Sequence, residues 1–351
     1  MLNVKERYVQ LEACQDDGER LEILFNLATD LLNFDQKRVL EIAEEINEIA
    51  ERGDNNLGRS YYHSTKGRVF FKRAKYADCE MEFNQALQMA LLTTDLITQA
   101  MCYDSLGILY SFQYRHEASL EASFKALSIY QQVPGITSEK FTVVCYNNIG
   151  ACYKQMFELD KAEDSYLKGL EAAKSHEGRV KYSIMNNLAN IKIIQGKFDE
   201  GLVHVSEALK GFRQANHKNG EANALVITGH CWLGKGAYAV AMTHLLSAIK
   251  LLKELDYKTV EISALYGMGN VYMKMEAFDE AIKHYQKALA LAIAIEDDHE
   301  VCEIYLLLIP AYQATNDLDA INEAINIGLG LAKKRNLKRY VQSFENLMIR
   351  A

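Results

Sequence analysis

The chain has 351 residues, of which 49% are hydrophobic, 10% aromatic and 25% charged, and its formal net charge is −8. These values are typical of soluble globular proteins and exclude an intrinsically disordered chain. Only two prolines occur, far below the usual share of about 5%, and this favours a largely helical fold.

The seven cysteines are odd in number, and no two are spaced as Cys-x-x-Cys. This pattern indicates neither a disulfide framework nor a zinc site and favours a reducing compartment. The N-terminal segment has no apolar core of signal-peptide length, and no uncharged run approaches the roughly 18 apolar residues that a membrane span requires. The sequence therefore predicts a soluble, cytoplasmic protein without a membrane partner.

Amphipathic patterning predicts helices at the N-terminus. Residues 19–33 and 36–52 form one pair, which ends at the turn sequence Gly53-Asp54-Asn55-Asn56. This pair is either a degenerate first repeat or, with a helix over residues 2–14, a three-helix cap. In both interpretations residues 1–56 precede the repeats.

A short motif then recurs. An aliphatic residue directly precedes a glycine, and an aromatic residue stands three positions after the glycine. We call the glycine position the marker. The successive spacings of the markers are 40, 43, 39, 40, 40 and 40 residues, which predicts seven repeats over residues 57–335. The spacing of 43 predicts a longer loop at residues 133–136. The markers are Gly67, Gly107, Gly150, Ala189, Gly229, Gly269 and Ile309.

Small and large residues recur at complementary positions of each repeat. Small residues predominate twelve and nineteen positions after the marker, as at Ala162 and Ala208, whereas large ones such as Tyr166 and Tyr285 stand sixteen after it. Small residues are needed where two helix axes approach to about 8–10 Å. The pattern therefore predicts two closely crossing helices in each repeat.

These residues resemble the signature of the tetratricopeptide repeat family, W-x2-L-G-x2-Y followed by A-x3-F and A-x2-P. The sixth repeat, LYGMGNVYMKMEAFDEAIKHYQKALALA, matches it best. The chain departs from the family in its period of 40 rather than 34 residues and in the missing helix-terminating proline. Forty-residue repeats are similar to those of spindle-orientation adaptors, kinesin light chains and bacterial peptide-pheromone receptors, which bind peptides or protein segments.

The resemblance implies an all-α fold, a right-handed α-solenoid of helix-turn-helix repeats with capping helices. Residues 336–351 contain a last helix, over 337–349, that is expected to cover the exposed apolar face of the final repeat. Alternatively, this helix is a stalk that leads to a further domain.

Motifs of catalysis are missing from the sequence. It contains no glycine-rich phosphate loop, no H-E-x-x-H and no G-x-S-x-G, so we expect no enzyme, no cofactor and no metal site. A pI of 5.7 and the lack of a compact basic cluster with interleaved aromatics argue against nucleic-acid binding.

The resemblance places the first helix of each repeat on the concave face of the solenoid. Two positions face that groove in the family, one after the marker and three before it, and asparagine is frequent there. Amide side chains in one stripe suggest a ladder for the main chain of an extended peptide; alternatively, these asparagines pair with neighbouring helices. The candidate groove residues are Arg68, Lys72, Asn147, Lys154, Asn186, Asn190, His230, Tyr266, Asn270 and Lys274.

Charge is distributed unevenly between the two sets of helices. The first helices of repeats one to six carry a net charge of +10, so the rest of the chain carries −18. A basic lining would steer an acidic segment into the groove, with Arg68, Lys72, Lys154 and Lys274 as the expected contacts. Alternatively, some of these lysines lie at helix ends and extend into solvent.

Two functions fit this sequence. The first is a non-enzymatic scaffold for protein–protein interaction that binds a peptide or protein segment in the groove. The second is a ligand-responsive sensor that controls an output domain or signalling enzyme, because similar arrays precede cyclases, kinases and DNA-binding domains and because pheromone receptors contract around a peptide. The partner and the oligomeric state stay open at this point.

Overall fold

The computed structural model describes residues 2–174, 178–255 and 257–348. Within these residues the backbone forms eighteen α-helices and no β-strand, so the predicted all-α fold class is confirmed. None of the described helices is long and apolar enough to cross a membrane. The chain divides into two compact units, Met1–Glu177 and Gly178–Ala351.

Each unit contributes nine of the described helices. Those of the first unit are α1 (Leu2–Ala13), α2 (Asp17–Leu31), α3 (Gln36–Arg52), α4 (Asn56–Lys72), α5 (Tyr76–Leu91), α6 (Leu96–Phe112), α7 (His116–Gln132), α8 (Ile136–Gln155) and α9 (Leu159–Ala172). Those of the second unit are α10 (Arg179–Ile194), α11 (Phe198–Gln214), α12 (Lys218–Gly234), α13 (Tyr238–Leu252), α14 (Lys258–Lys274), α15 (Phe278–Ala294), α16 (Asp298–Thr315), α17 (Leu318–Lys334) and α18 (Lys338–Met348).

The helices pack in sequential pairs, as the repeat pattern predicts. The closest packing lies within α4/α5, α6/α7 and α8/α9 in the first unit and within α10/α11, α12/α13 and α14/α15 in the second. The helices predicted over 2–14, 19–33 and 36–52 correspond in position to α1, α2 and α3. The helix predicted over 337–349 corresponds to α18, although its last residue lies outside the described part of the chain.

The prediction of a longer loop at residues 133–136 is wrong. Only Val133, Pro134 and Gly135 separate α7 from α8, and α8 is 20 residues long, whereas α6 has 17. Gly135 has φ +125°, a conformation that side chains rarely adopt, and its carbonyl accepts the first helical hydrogen bond of α8 from the Glu139 N–H. The extra residues therefore lengthen the start of the helix.

The marker glycines allow a large side chain from the second helix to lie against the backbone of the first. A Cβ atom added at Gly67 would stand 2.5 Å from the Phe83 ring, and one added at Gly269 would stand 2.5 Å from the Tyr285 ring. At Gly150 the distance to the Tyr166 ring would be 2.6 Å. All three aromatic residues lie sixteen positions after their marker and are buried, so the predicted close crossing of the helices is confirmed.

A residue in the left-handed helical conformation ends the first helix of every repeat. It always stands seven positions after the marker, and its φ lies between +55° and +76°. The next residue donates a backbone hydrogen bond to the carbonyl three after the marker, for example from Lys75 to Phe70. This is the Schellman arrangement of a helix C-terminus. The residues in this elbow position are Ala74, Tyr114, Phe157, Gly196, Gly236, Glu276 and Asn316.

The first helices of successive repeats contact one another, as in α4–α6 and α6–α8 of the first unit and α10–α12 and α12–α14 of the second. Between the described second helices of neighbouring repeats no comparable contact exists. Elements on the inner side of a bend lie closer together than those outside it. The first helices therefore line the concave side of each unit.

The ends of the array are covered by apolar contacts. In the first unit, Leu24 of α2 and Ile42 of α3 share a buried cluster with Val69 of α4. In the second unit, Tyr340 and Phe344 of α18 are buried in a cluster that includes residues of α16 and α17. Each terminal segment thus removes apolar surface of a neighbouring repeat from water.

The elbow conformation predicts opposite effects of glycine and alanine. Gly236→Ala places a Cβ atom in the left-handed conformation and is expected to lower the free energy of unfolding by about 1–2 kcal/mol. Ala74→Gly, in the same position, relieves that strain and is expected to leave stability unchanged or higher. Gly330→Ala, in the exposed interior of α17 with no atom within 4 Å of the added Cβ, is the matched control and should stabilise by about 0.5–1 kcal/mol. Urea denaturation measures all three; equal destabilisation by Gly236→Ala and Ala74→Gly would contradict the account.

Candidate functional site

The candidate site is the surface that the first helices present on the concave side of each unit. The residues one after and three before a marker stand four positions apart and therefore share one face of their helix. We call the surface made by these two positions the first-helix face. Its geometry differs between the units, because different side chains occupy it.

In the second unit, His230 of α12 meets Tyr266 of α14, with 5.7 Å between their ring centroids. His230 stands one after its marker and Tyr266 three before the next, so the two predicted positions meet between successive helices. Gly267 permits the approach, because a Cβ atom there would stand 2.9 Å from His230 Cε1. The predicted site residues His230 and Tyr266 are therefore brought together.

His230 is a neutral aromatic base in this environment. Burial lowers the pKa of its imidazole to about 4, although a hydrogen bond with the Ser263 backbone opposes the shift. Its Nε2 atom is buried and has no hydrogen-bond partner among the described residues. The side chain thus offers one unused polar atom and no positive charge near pH 7.

Tyr266 is a neutral phenol. Its hydroxyl accepts a hydrogen bond from Ser263 Oγ at 3.0 Å. Burial raises the pKa of Tyr266, and the charge of Glu300 on α16 raises it further. This part of the first-helix face is consequently less basic than the sequence predicted, because a carboxylate of the seventh repeat lies close to it.

The asparagines of the second unit differ in burial and in hydrogen bonding. Asn186 of α10 is only 2% exposed, and neither its amide nitrogen nor its amide oxygen has a hydrogen-bond partner among the described residues. Asn190, one turn further on, is half-buried. Asn270 accepts a hydrogen bond from the Tyr285 hydroxyl at 2.6 Å, so for this residue the alternative of pairing with a neighbouring helix is confirmed.

In the first unit, Asp104 of α6 is the polar centre of the first-helix face. Its Oδ1 atom accepts a hydrogen bond from Asn148 Nδ2 at 3.0 Å. Burial raises the pKa of Asp104 to about 6, while Asn148, Cys145 and the charge of Arg68 lower it. Asp104 is not among the predicted groove residues, although it is the one acidic residue among the positions three before a marker.

Arg68 is held by the N-terminal helices. Its Nη1 atom donates to Thr29 Oγ1 at 2.8 Å, and its guanidinium lies 4.8 Å from the centre of the Phe25 ring. Burial lowers the pKa of Arg68. The predicted groove residue Asn147 is half-buried and has a polar partner of its own, as does the half-buried Lys154.

Several of the cations counted in the basic lining make ion pairs with acids. Lys66 Nζ lies 3.0 Å from Glu82 Oε1, and Lys192 Nζ lies 3.0 Å from Glu200 Oε2. Lys72 and Lys274 are exposed at the ends of α4 and α14 and make no ion pair within the described residues. The positive charge counted in the sequence is therefore partly neutralised by neighbouring acids.

The cysteines and acidic groups give no sign of a reaction centre within the described residues. Burial raises the pKa of the thiols of Cys79, Cys231 and Cys302 to about 12, which disfavours the nucleophilic thiolate. No group of three His, Cys, Asp or Glu side chains in the described ranges is arranged to hold a metal ion.

Comparison with known proteins agrees with this geometry. Two family models described as tetratricopeptide repeat match residues 143–176 and 262–292. No curated protein matches the chain in sequence.

Several solved structures share the fold over almost the whole chain. NprR in complex with its cognate peptide NprX is 19% identical, with a TM-score of 0.63 over 93% of this chain and 99% of that one. The Rap conjugation gene regulator of the plasmid pLS20 in complex with the Phr* peptide is 15% identical, with a TM-score of 0.68 over 95% of each chain. Aspartyl phosphate phosphatase F from Bacillus subtilis is 11% identical, with a TM-score of 0.68 over 94% of this chain and 92% of that one.

The paired helices and the repeat register define an all-α helical-repeat protein of the solenoid class. Residues 143–176 and 262–292 match the tetratricopeptide repeat, and the fold of the chain is similar to those of NprR and of the Rap regulator of pLS20.

The raised pKa of Asp104 predicts a pH-dependent cost in stability. A carboxyl group whose pKa is higher in the folded than in the unfolded state stabilises the fold below about pH 4, and this contribution is lost as the pH rises through about 6. Asp104→Asn keeps an oxygen for Asn148 without the charge. At pH 7.5 it is expected to raise the free energy of unfolding by about 1–2 kcal/mol, and the gain should shrink towards pH 4.5. Urea denaturation at both pH values checks this; a gain of equal size at both values, or a loss at pH 7.5, would contradict it.

Proposed function

We propose that the protein binds an extended peptide or protein segment on the first-helix face of its second unit, and that it does so without catalysing a reaction. The similarity in fold to NprR and to the pLS20 Rap regulator, both solved with a bound peptide, supports this role. The free state of all seven cysteines fits action in the reducing cytoplasm.

The observation that carries the proposal is the unsatisfied amide of Asn186. A buried polar group without a hydrogen bond costs about 1–3 kcal/mol, and Asn186 leaves both a donor and an acceptor in that state. A peptide main chain offers one acceptor and one donor per residue. It would satisfy both atoms once the side chain turns towards the half-buried Asn190.

The spacing of the two asparagines fits an extended ligand. Four residues of an α-helix advance about 6 Å along its axis, and two residues of an extended chain advance about 6.6 Å. Asn186 could therefore bond the main chain of one ligand residue, and Asn190 could bond the main chain of the residue two positions further along. Alternate side chains of the ligand would then point towards the same wall of the site.

His230 and Tyr266 would supply that wall for ligand side chains. Both are neutral near pH 7 and present aromatic surface, so they favour an apolar or aromatic side chain over a charged one. Lys274, exposed at the end of α14, would attract an acidic group of the ligand. In the first unit Arg68 already has contacts with α2.

Removal of the asparagine amides is expected to abolish peptide capture. The probe is a displayed library of random heptapeptides selected on the full chain, with one enriched peptide labelled for fluorescence anisotropy. Asn190→Ala should weaken its binding at least tenfold. Asn186→Leu should do the same and also raise the free energy of unfolding by about 1–3 kcal/mol, because it removes an unsatisfied buried amide.

The control is Asn322→Ala on α17, an exposed asparagine outside the first-helix face, which should leave the affinity unchanged. Circular dichroism should show the same helix content in all three variants. Undiminished binding by both Asn186→Leu and Asn190→Ala, or a library that yields no enriched peptide, would contradict the proposal.

The second candidate function is a sensor that changes shape when its peptide binds. It is favoured by the similarity in fold to NprR, described in another structure as a quorum sensor, and to a gene regulator of the Rap type. A sensor needs a ligand with different affinities for two conformations.

Small-angle scattering distinguishes sensor from static scaffold. A saturating amount of the selected heptapeptide should lower the radius of gyration of a sensor, and Asn190→Ala should show no such change at the same peptide concentration. An unchanged radius at saturation would favour the scaffold.

A further inference from the structure

Two of the three elbows of the first unit carry aromatic side chains where the backbone favours glycine. The position seven after the marker is left-handed in every repeat, and in the second unit it holds Gly196, Gly236, Glu276 and Asn316. In the first unit it holds Tyr114 with φ +57° and Phe157 with φ +60°. A bulky residue in this conformation is uncommon and strained.

Both side chains are partly exposed. Tyr114 is 38% exposed and its ring lies 6.2 Å from that of His116, and Phe157 is 45% exposed. A strained and partly exposed aromatic residue is expected where the side chain has a use at the surface. Tyrosine and phenylalanine are the residue types that supply contact area at protein interfaces.

Neighbouring residues extend the aromatic surface along one edge of the unit. Phe112, which is 58% exposed, meets the half-buried Phe71 edge-on, with 4.9 Å between their ring centroids. Met156, exposed to 36%, precedes Phe157. We call Phe71, Phe112, Tyr114, Met156 and Phe157 the elbow strip.

The elbows lie side by side. The Phe71–Phe112 contact joins the first and second repeats. Ser111 Oγ donates to Gln155 Oε1 at 3.1 Å and so joins the second repeat to the third. The strip thus spans the three elbows of the first unit.

Positive charge flanks the strip at its first elbow. Lys72, Arg73 and Lys75 fall within four residues, and none of them makes an ion pair within the described part of the chain. Arg73 donates instead to the neutral Gln36. Asp78 is the acid nearest in sequence to this group, which leaves the elbow with an excess of positive charge.

We propose that the elbow strip is a docking surface for an acidic protein segment that carries apolar side chains, separate from the first-helix face. Its aromatic residues bury the apolar side chains, and Lys72 and Lys75 bind the carboxylates. A second copy of the chain is a poorer occupant, because the elbow strip itself contains no acid that could pair with Lys72 and Lys75 of another copy. An anionic bilayer is disfavoured by the net charge of −8.

Methyl NMR of the full chain, labelled at the methionine methyl groups, tests this proposal. Met156 lies in the strip, and Met275, also one before an elbow residue and 50% exposed, is the matched reporter in the second unit. The probes are three synthetic 18-residue peptides, one of Glu with Leu and Phe, one of Lys with Leu and Phe, and one of Glu with Ser. The first should shift the Met156 signal, leave Met275 unmoved and bind at least tenfold more tightly than the other two.

Variants distinguish specific binding at the elbow strip from nonspecific hydrophobic binding. Phe112→Ser and the double variant Lys72→Glu/Lys75→Glu should each weaken binding of the first peptide at least tenfold. Ile194→Ser, an exposed residue at an elbow of the second unit, should have no effect. Tyr114→Gly should weaken binding and yet raise the urea midpoint, because it relieves the strained backbone.

Several results would overturn the proposal. No Met156 shift with the first peptide, an equal shift of Met275, or binding no tighter than that of the other two peptides would each contradict a specific docking surface. A lower urea midpoint of Tyr114→Gly with unchanged binding would contradict it as well. A Met156 shift caused only by phosphatidylserine vesicles would assign the strip to a membrane instead. A shift caused only by raising the protein concentration would assign it to self-association.

Discussion

In four repeats, the contact between the marker glycine and the large side chain sixteen positions later determines how the two helices cross. Where Tyr285 lies against Gly269 or Phe83 against Gly67, a Cβ atom on the glycine would stand about 2.5 Å from the ring, so only glycine permits the approach. Because this contact recurs at a nearly constant spacing, successive first helices are brought together in register. That register places His230 against Tyr266 and Arg68 near Asp104.

The fold could be predicted because periodicity and residue size report directly on helix packing. Positions of small and large residues indicated the two helices of each repeat, and the structure agrees with them. The 43-residue spacing was misinterpreted, since an insertion beside Pro134 and Gly135 is as compatible with a longer helix as with a longer loop. The elbow conformation was invisible in the sequence, because Ala74, Tyr114, Phe157 and Glu276 do not share the chemistry that marks a left-handed residue.

The site could be predicted in position but only partly in chemistry. A repeat register indicates which side chains share a face. It placed His230 and Tyr266 on the same face, where the structure brings their ring centroids to 5.7 Å. It does not indicate partners from other helices. The Tyr285 hydroxyl that bonds Asn270 and the Glu200 carboxylate that neutralises Lys192 both come from second helices, so a charge count over first helices overstated the basic lining.

Two local costs in stability lie on surfaces that we associate with binding, at Asn186 and Tyr114, and a third lies at Asp104 on the first-helix face of the first unit. Asn186 leaves its amide unsatisfied, Asp104 keeps a carboxyl group where burial disfavours its charge, and Tyr114 holds an aromatic side chain on strained backbone. Natural proteins retain such costs mainly where function requires them. The most direct measurement of the central claim is hydrogen–deuterium exchange of the full chain with and without a saturating library-selected peptide. The account predicts slower exchange in α10, α12 and α14, and slowing confined to α11, α13 and α15 would contradict it.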